Sequence, residues 1–212
     1  MDKLNANDIK GIFKSIRDVV DLNKIYLIEL DGVMGDGDLG ITMSFGFNKI
    51  VESLDNLNIE DIGMLIMKAG MIMADEAPST LGTLVATGMI KGGKVLKGKK
   101  EIELQDIIEA NNAALNGMME RGKSKRGNKT ILDSLFPALD ALEKSKDLEE
   151  HLKESFNKAY EAAKFGAINT KTMKSVHGRA AFYGDKSIGN IDGGAVLGSY
   201  LYEGANNYLN KK

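Results

Sequence analysis

Asp31, Asp36 and Asp38 fall within eight residues in the run LDGVMGDGDLG, interleaved with Gly32, Gly35 and Gly37. Carboxylates this crowded repel one another unless a cation or a hydrogen-bond donor sits among them. Glycine lets the backbone turn tightly enough to gather them. An all-oxygen donor set in a chain without cysteine suits a hard cation such as Mg²⁺, commonly held by a few carboxylates together with substrate phosphates. Asp and Gly also dominate ordinary solvated turns, and read alone the run fits either description.

Three further loops carry groups suited to phosphate. In DEAPSTLGT, Ser79 and Thr80 stand where a helix begins, so backbone N–H groups and hydroxyls offer a phosphate cradle; the same residues also make an ordinary N-cap. RGKSKRGNKTILD brings Arg121, Lys123, Lys125, Arg126 and Lys129 into nine positions, with Gly122, Thr130 and Ile131 beside them. Such a cluster neutralises phosphates or forms a solvated face, and without interleaved aromatics it does not read as a nucleic-acid surface. HGRAAFYGDKSIGNIDGGA holds Arg179, a fork-shaped donor, and Asp192 among glycines. His177 in this loop is one of two histidines and reads as structural.

Three familiar patterns fail on residue type, context or spacing. Gly35-x-Gly37-x-x-Gly40 matches a dinucleotide fingerprint by letter, but its x positions hold aspartates and no βαβ unit surrounds it. A calcium loop starting at Asp36 needs Asp or Asn at position 40 and Gly at 41, where the chain has Gly40 and Ile41. Gly122 to Thr130 is one residue too long for a Walker A loop, because Asn128 intervenes.

Between the loops, apolar residues recur at helical spacing. Asn7 is placed to cap a first helix with Ile9, Ile12, Phe13, Ile16, Val19 and Val20 on one face. A short helix passes through Tyr26 and Leu27, where KIYLIEL also has a strand-like look, and others follow through Met43–Leu54, from Asp61, and over Leu81–Met89. Lys91–Lys100 reads as a basic surface turn, and helices over Leu104–Met119, Thr130–Leu142, Leu148–Phe165 and Ala195–Leu209 complete the chain. Two prolines against 24 glycines favour an all-α chain with short glycine-containing connections. No linker or repeat divides residues 1–212, which read as a single domain. A net charge of −2 gives no field toward nucleic acid or anionic lipid, and no apolar run is long enough to span a bilayer. The absence of cysteine and of a signal-like N-terminus gives the expectation of a cytoplasmic protein.

Taken in order, the loops resemble the dihydroxyacetone kinase L subunit (DhaL) family along essentially the whole chain. The resemblance is carried by Leu30-Asp31, Gly35-Asp36-Gly37-Asp38-Leu39-Gly40, Arg121-Gly122-Lys123, Lys129-Thr130, Gly178-Arg179-Ala180 and Ser187-Ile188-Gly189. It implies a closed barrel of about eight amphipathic, mostly antiparallel helices, with ADP or ATP held by loops at one end. It further implies Asp31, Asp36 and Asp38 as Mg²⁺ ligands, Ser79 and Thr80 as a phosphate loop, Ile131 as an apolar contact to adenine and Arg179 as a phosphate ligand. Gly122, Lys129, Thr130 and Asp192 fall in the remaining nucleotide-binding elements. The implied activity is a phosphotransferase (kinase) subunit, active only with a DhaK-like K subunit that holds a small ketose or polyol. The phosphodonor is ATP or a phosphotransferase-system protein. A catalytically degenerate regulatory module that binds nucleotide and docks on another protein is the alternative. Where the family has His after the paired aspartates this chain has Leu39, and Thr42 replaces a usual Asn. The phosphate loop is shortened to Glu76-Ala77-Pro78-Ser79-Thr80, Asn128 replaces an Asp, and Asp192-Gly193-Gly194 replaces Asp-Pro-Gly.

Overall fold

The computed structural model describes residues 3–212. Nine α-helices account for most of the described chain: α1 (Ala6–Leu22), α2 (Lys24–Gly32), α3 (Leu39–Asp55), α4 (Ile62–Glu76), α5 (Thr80–Val95), α6 (Leu104–Gly122), α7 (Leu132–Asp147), α8 (Leu152–Asn169) and α9 (Gly193–Lys211). Two two-residue strands, β1 (Leu4–Asn5) and β2 (Glu101–Ile102), pair antiparallel with Leu4 opposite Ile102.

Eight of the helices form a closed ring. Going round it, α1 packs on α3, then α3 on α4, α4 on α5, α5 on α6, α6 on α7, α7 on α8, α8 on α9, and α9 back on α1. Short α2 lies beside α3. Glycine contacts fix the directions. Gly63 lies against Gly93 and Leu96 while Gly70 lies against Ala86, so α4 and α5 run antiparallel. Gly204 meets Ile16 and Gly11 meets Tyr208, which makes α9 antiparallel to α1 and closes the ring. That closure is fastened by Asp8, buried at 3% exposure, which accepts from the Tyr208 hydroxyl at 2.8 Å and pairs with the Lys212 ammonium. The inward stripes of the helices merge into one hydrophobic core, with Phe47, Met43, Leu65, Met73, Leu139 and Leu197 among its buried members.

Alternation sorts the connections. The segments after α2, α4, α6 and α8, which carry all four loops singled out in the sequence, gather at one end. The β1–β2 pair, the connections after α3, α5 and α7 and the described chain ends lie at the opposite end, while the short α1–α2 junction sits beside the start of α3.

Several boundaries differ from the sequence expectation, each for a local reason. The cap of α1 is Asn5, not Asn7: Asn5 Oδ1 accepts from the N–H groups of Asn7 and Asp8, and Asp8 reaches back to the Asn5 N–H at 2.9 Å. KIYLIEL is helical, within α2. Lys91–Lys100 is not a turn throughout, because α5 continues to Val95; Gly92 and Gly93 bring it close to Ala110 and Gly63 instead of breaking it. Helix α7 starts at Leu132 and carries Pro137 inside it, and α8 starts at Leu152, capped by His151. The loop from His177 contains a 3₁₀ segment, Arg179–Ser187, kinked at Gly184. None of the helices among the described residues is long and apolar enough to cross a membrane.

Candidate metal and phosphate site

The carboxylate loop begins on the last turn of α2. The Asp31 carbonyl accepts from the Gly35 N–H at 2.6 Å and the Met34 N–H at 3.3 Å, which folds the chain back on itself. Gly37, at φ +72°, takes the left-handed conformation that completes the reversal. The Asp38 N–H then donates to Asp31 Oδ2 at 3.1 Å. Asp38 is the N-cap residue of α3, yet its side chain makes no capping bond. One carboxylate oxygen from each of Asp31, Asp36 and Asp38 lies within 4.8 Å of the others. Partial burial, with the charges of Asp36 and Asp31 added, raises the pKa of Asp38, and Arg179 partly offsets this. Arg179 reaches the cluster from the α8–α9 connection: its Nη2 lies 2.6 Å from Asp36 Oδ2, with both side chains open to solvent.

The N-terminus of α9 is the hub on which the other loops converge. Gly193 lies against Leu39 and Leu30 and close to the Asp31 N–H, while Gly194 lies against the Ile131 backbone and Leu81. A side chain at Gly193 would meet the end of the Leu39 side chain, and one at Gly194 would crowd the Asp192 carboxylate. Asp192 caps α9 by accepting from the Ala195 N–H at 2.8 Å, and its own N–H donates to Thr170 Oγ1 at 2.9 Å. Burial pushes Asp192 up to about 6; the Ala195 N–H and the Lys129 ammonium act in the opposite direction. Helices α3, α5, α7 and α9 all open on this end, so four N-termini bring unsatisfied N–H groups and partial positive charge to it.

Ser79 caps α5, its Oγ accepting from the Gly82 N–H at 3.0 Å, and Thr80 is exposed on the first turn. The N-cap reading of this loop is therefore realised, and a cap of this kind leaves the first-turn N–H groups open outward.

The α6–α7 connection is organised by Asp133, which the motif reading did not single out. Asp133 is 3% exposed and accepts from the N–H groups of Gly127 at 2.5 Å and Thr130 at 2.8 Å. An acidic residue three positions after Thr130, at the start of a helix, was the signal available. The basic residues of this connection do not act together. Arg126 turns outward to Asp140 at 2.7 Å, and Lys123 and Lys125 are exposed. Lys129 points inward, 3% exposed, with its Nζ on the carbonyls of Ser187, Asn190 and Met173 at 2.6, 2.7 and 3.2 Å. Thr130 accepts from the Leu132 N–H, Ile131 is packed into the core at 1% exposure, and Gly122 ends α6 against Leu84. His177 lies 3.4 Å from Asn128 Oδ1 and bridges two loops.

The structure thus brings together Asp31, Asp36, Asp38 and Arg179, with Asp192 next to the α9 hub. Ser79 and Thr80 open on the same end; Lys129 and Ile131 are buried beneath it.

Comparison with known proteins places the chain in a family. The DAK2 domain model matches residues 33–207. The chain is 30% identical over 186 residues to the ADP-binding subunit DhaL of the PEP-dependent dihydroxyacetone kinase of Escherichia coli (strain K12), covering 88% of this chain and 89% of that one. It is 28% identical to an L-erythrulose kinase of Pectobacterium atrosepticum over 98% of its own length, but spans only 36% of that enzyme. The dihydroxyacetone kinase of C. freundii in complex with AMP-PNP and Mg²⁺ has the same fold, with a TM-score of 0.76 at 22% identity over 98% of this chain and 34% of that one. With the family model spanning most of its length, the chain belongs to the DAK2-domain family, as a member of its DhaL group.

Proposed function

We propose that this chain, acting as one domain over residues 1–212, is the nucleotide-binding phosphotransferase subunit of a dihydroxyacetone-kinase-type system. In this reading it works in the cytoplasm on a small ketose or polyol held by a DhaK-like partner. The observation that carries the proposal is the juxtaposition of three carboxylates, each with an oxygen within 4.8 Å of the others, and a guanidinium 2.6 Å from one of them. That donor set is all oxygen and fits Mg²⁺. Bound there with ADP or ATP, Mg²⁺ supplies charge neutralisation at the phosphates, the main requirement of phosphoryl transfer.

The chain's own groups divide the remaining work. Asp31 fixes the loop through the Asp38 N–H and turns a carboxylate oxygen toward the cluster. Arg179 would exchange Asp36 for a phosphate group, two of whose oxygens match its planar fork. The first turn of α5, with Ser79 and Thr80, and the α7 start at Thr130 offer N–H and hydroxyl donors at helix N-termini, where negative charge is favoured. Gly122 and Asp192 shape the loop ends, Ile131 supports them from the core, and Lys129 contributes from below. Catalysis is positioning and charge stabilisation, without a covalent intermediate on this chain.

The regulatory alternative draws on Leu39. Where the family carries a histidine, this side chain is 7% exposed and lies beside Gly193, so it offers the phosphates no donor. The deciding experiment is thermal melting with Mg²⁺–ADP, repeated with excess EDTA, followed by phosphotransfer with a K-type subunit. Metal-dependent stabilisation with transfer supports the kinase; stabilisation without transfer from either ATP or a phosphotransferase-system donor supports the regulatory module. Equal stabilisation with and without metal removes the role given to the aspartates.

A further inference from the structure

The connection between α8 and α9 makes a long excursion. It leaves the body of the protein after Met173 and returns at Ser187, and Arg179 rides on it. Arg179 itself is exposed and its contact with Asp36 is a surface ion pair, too weak to order a loop. Something else must hold the excursion in place.

Both of its ends are gathered on one buried cation. The Lys129 Nζ donates to the carbonyls of Met173, Ser187 and Asn190, so three N–H bonds of the ammonium meet acceptors from the same segment. A second clasp is inside the excursion: the Ser175 N–H donates to Ser187 Oγ at 2.9 Å, and that hydroxyl donates to the Gly184 carbonyl at 2.7 Å. A weaker tie joins the Val176 N–H to the Asn128 carbonyl at 3.4 Å, next to Lys129. To aim inward, Lys129 adopts φ +59°, a left-handed conformation unfavourable for a side chain of this kind. Strain and a buried charge at one residue are maintained here by three charge-assisted hydrogen bonds to a functional loop.

We infer that Lys129 is a positioning residue: its buried ammonium closes the base of the 174–186 excursion and thereby holds Arg179 over the carboxylate cluster, without itself touching phosphate. The inference rests on the nucleotide-binding reading above. It assigns Lys129 to the loop's carbonyls and separates it from Arg121, Lys123, Lys125 and Arg126, whose charge lies at the surface.

Melting temperature alone does not test this, because removing the ammonium strips three carbonyls of their donor and is destabilising whether or not the loop positions Arg179. The test is a double-mutant cycle on Mg²⁺–ADP affinity by calorimetry, with wild type, Lys129→Met, Arg179→Ala and the double variant, joined to hydrogen exchange over residues 174–186. Lys129→Met is expected to weaken binding about tenfold or more and to speed exchange in the excursion while the ring helices keep their protection. In the Arg179→Ala background it is expected to add less than about twofold, because its effect passes through Arg179. Wild-type affinity in Lys129→Met, unchanged exchange, or full additivity in the double variant overturns the inference. Should Lys129→Met fail to fold, Ser187→Ala loosens the same excursion from its second clasp and is judged by the same three readings. If wild type itself binds no Mg²⁺–ADP, the nucleotide reading falls, while the exchange measurement still decides whether Lys129 holds the loop.

Discussion

Replacing Asp36 with asparagine separates a ligand role from a structural one. The Asp36 side chain is engaged by Arg179 across a solvent-open pair, and exposed pairs contribute about 0–1 kcal/mol. The same substitution removes one of three crowded charges; partial burial first, and then repulsion from Asp36 and Asp31, raise the pKa of Asp38. The two effects oppose each other, so without ligand the melting temperature is expected to move by no more than about 4 °C. With Mg²⁺–ADP at a hundredfold its dissociation constant, wild type gains about 2.7 kcal/mol, roughly 5–10 °C for a chain of this size. Loss of a metal ligand weakens binding by at least about a hundredfold, the upper end for mutations around a metal's ligands. At the same concentration the variant then sits near its own dissociation constant and gains only about 0.4 kcal/mol, roughly 1 °C. Differential scanning fluorimetry with Mg²⁺–ADP, Mg²⁺ alone and ADP with EDTA reads all of these. A ligand-free loss of about 10 °C, or a variant shift equal to that of wild type, refutes the reasoning.

Other outcomes follow from single contacts. Ser79→Ala removes the α5 cap and is expected to cost about 1 kcal/mol, or about 2–4 °C in melting temperature, measured without nucleotide. Asp192 has its folded-state pKa raised to about 6 from 3.8, so between these values the folded chain keeps a proton that the unfolded chain has released. Stability should therefore fall as pH rises through that window and level off above it, and Asp192→Asn should flatten this part of a urea-unfolding profile. The purified chain with Mg²⁺–ATP should transfer no phosphate to dihydroxyacetone or erythrulose until a K-type subunit is added; a radiolabel assay showing ordinary turnover by the chain alone removes the divided-site model.

The ring was legible in the sequence because its helices each bury one stripe, and a 3.6-residue period survives in a single chain. The faces of Ile9 to Val20 and Met43 to Leu54 are recovered almost residue for residue in the core. The carboxylate triad was legible because its chemistry is local: three aspartates in eight residues meet whatever the surroundings. Gly92 and Gly93 misled, because a glycine that lets two helices touch looks in sequence like one that breaks a helix. Lys129 was read with its basic sequence neighbours as part of a cluster that neutralises phosphates or forms a solvated face, whereas its left-handed conformation turns the side chain inward. Asp133 went unnoticed because its value lies in the two N–H groups it receives, which no composition rule displays.

Most of the packing and most of the candidate chemistry are kept in separate parts of this molecule. The ring holds itself together through helix stripes and close glycine contacts such as Gly204 on Ile16, which lies away from the loops at the site. The loops hold what a fold by itself would not favour: three neighbouring carboxylates, an exposed arginine and a lysine buried on carbonyls. On the proposed reading, a cation would relieve the carboxylate repulsion and a polyphosphate would give Arg179 its acceptor in one step. Those charges lie outside the hydrophobic core of the ring, so the loops can vary in charge without unfolding what carries them. The same ring is accordingly recognisable in the C. freundii enzyme at 22% identity, where sequence has drifted far more than architecture.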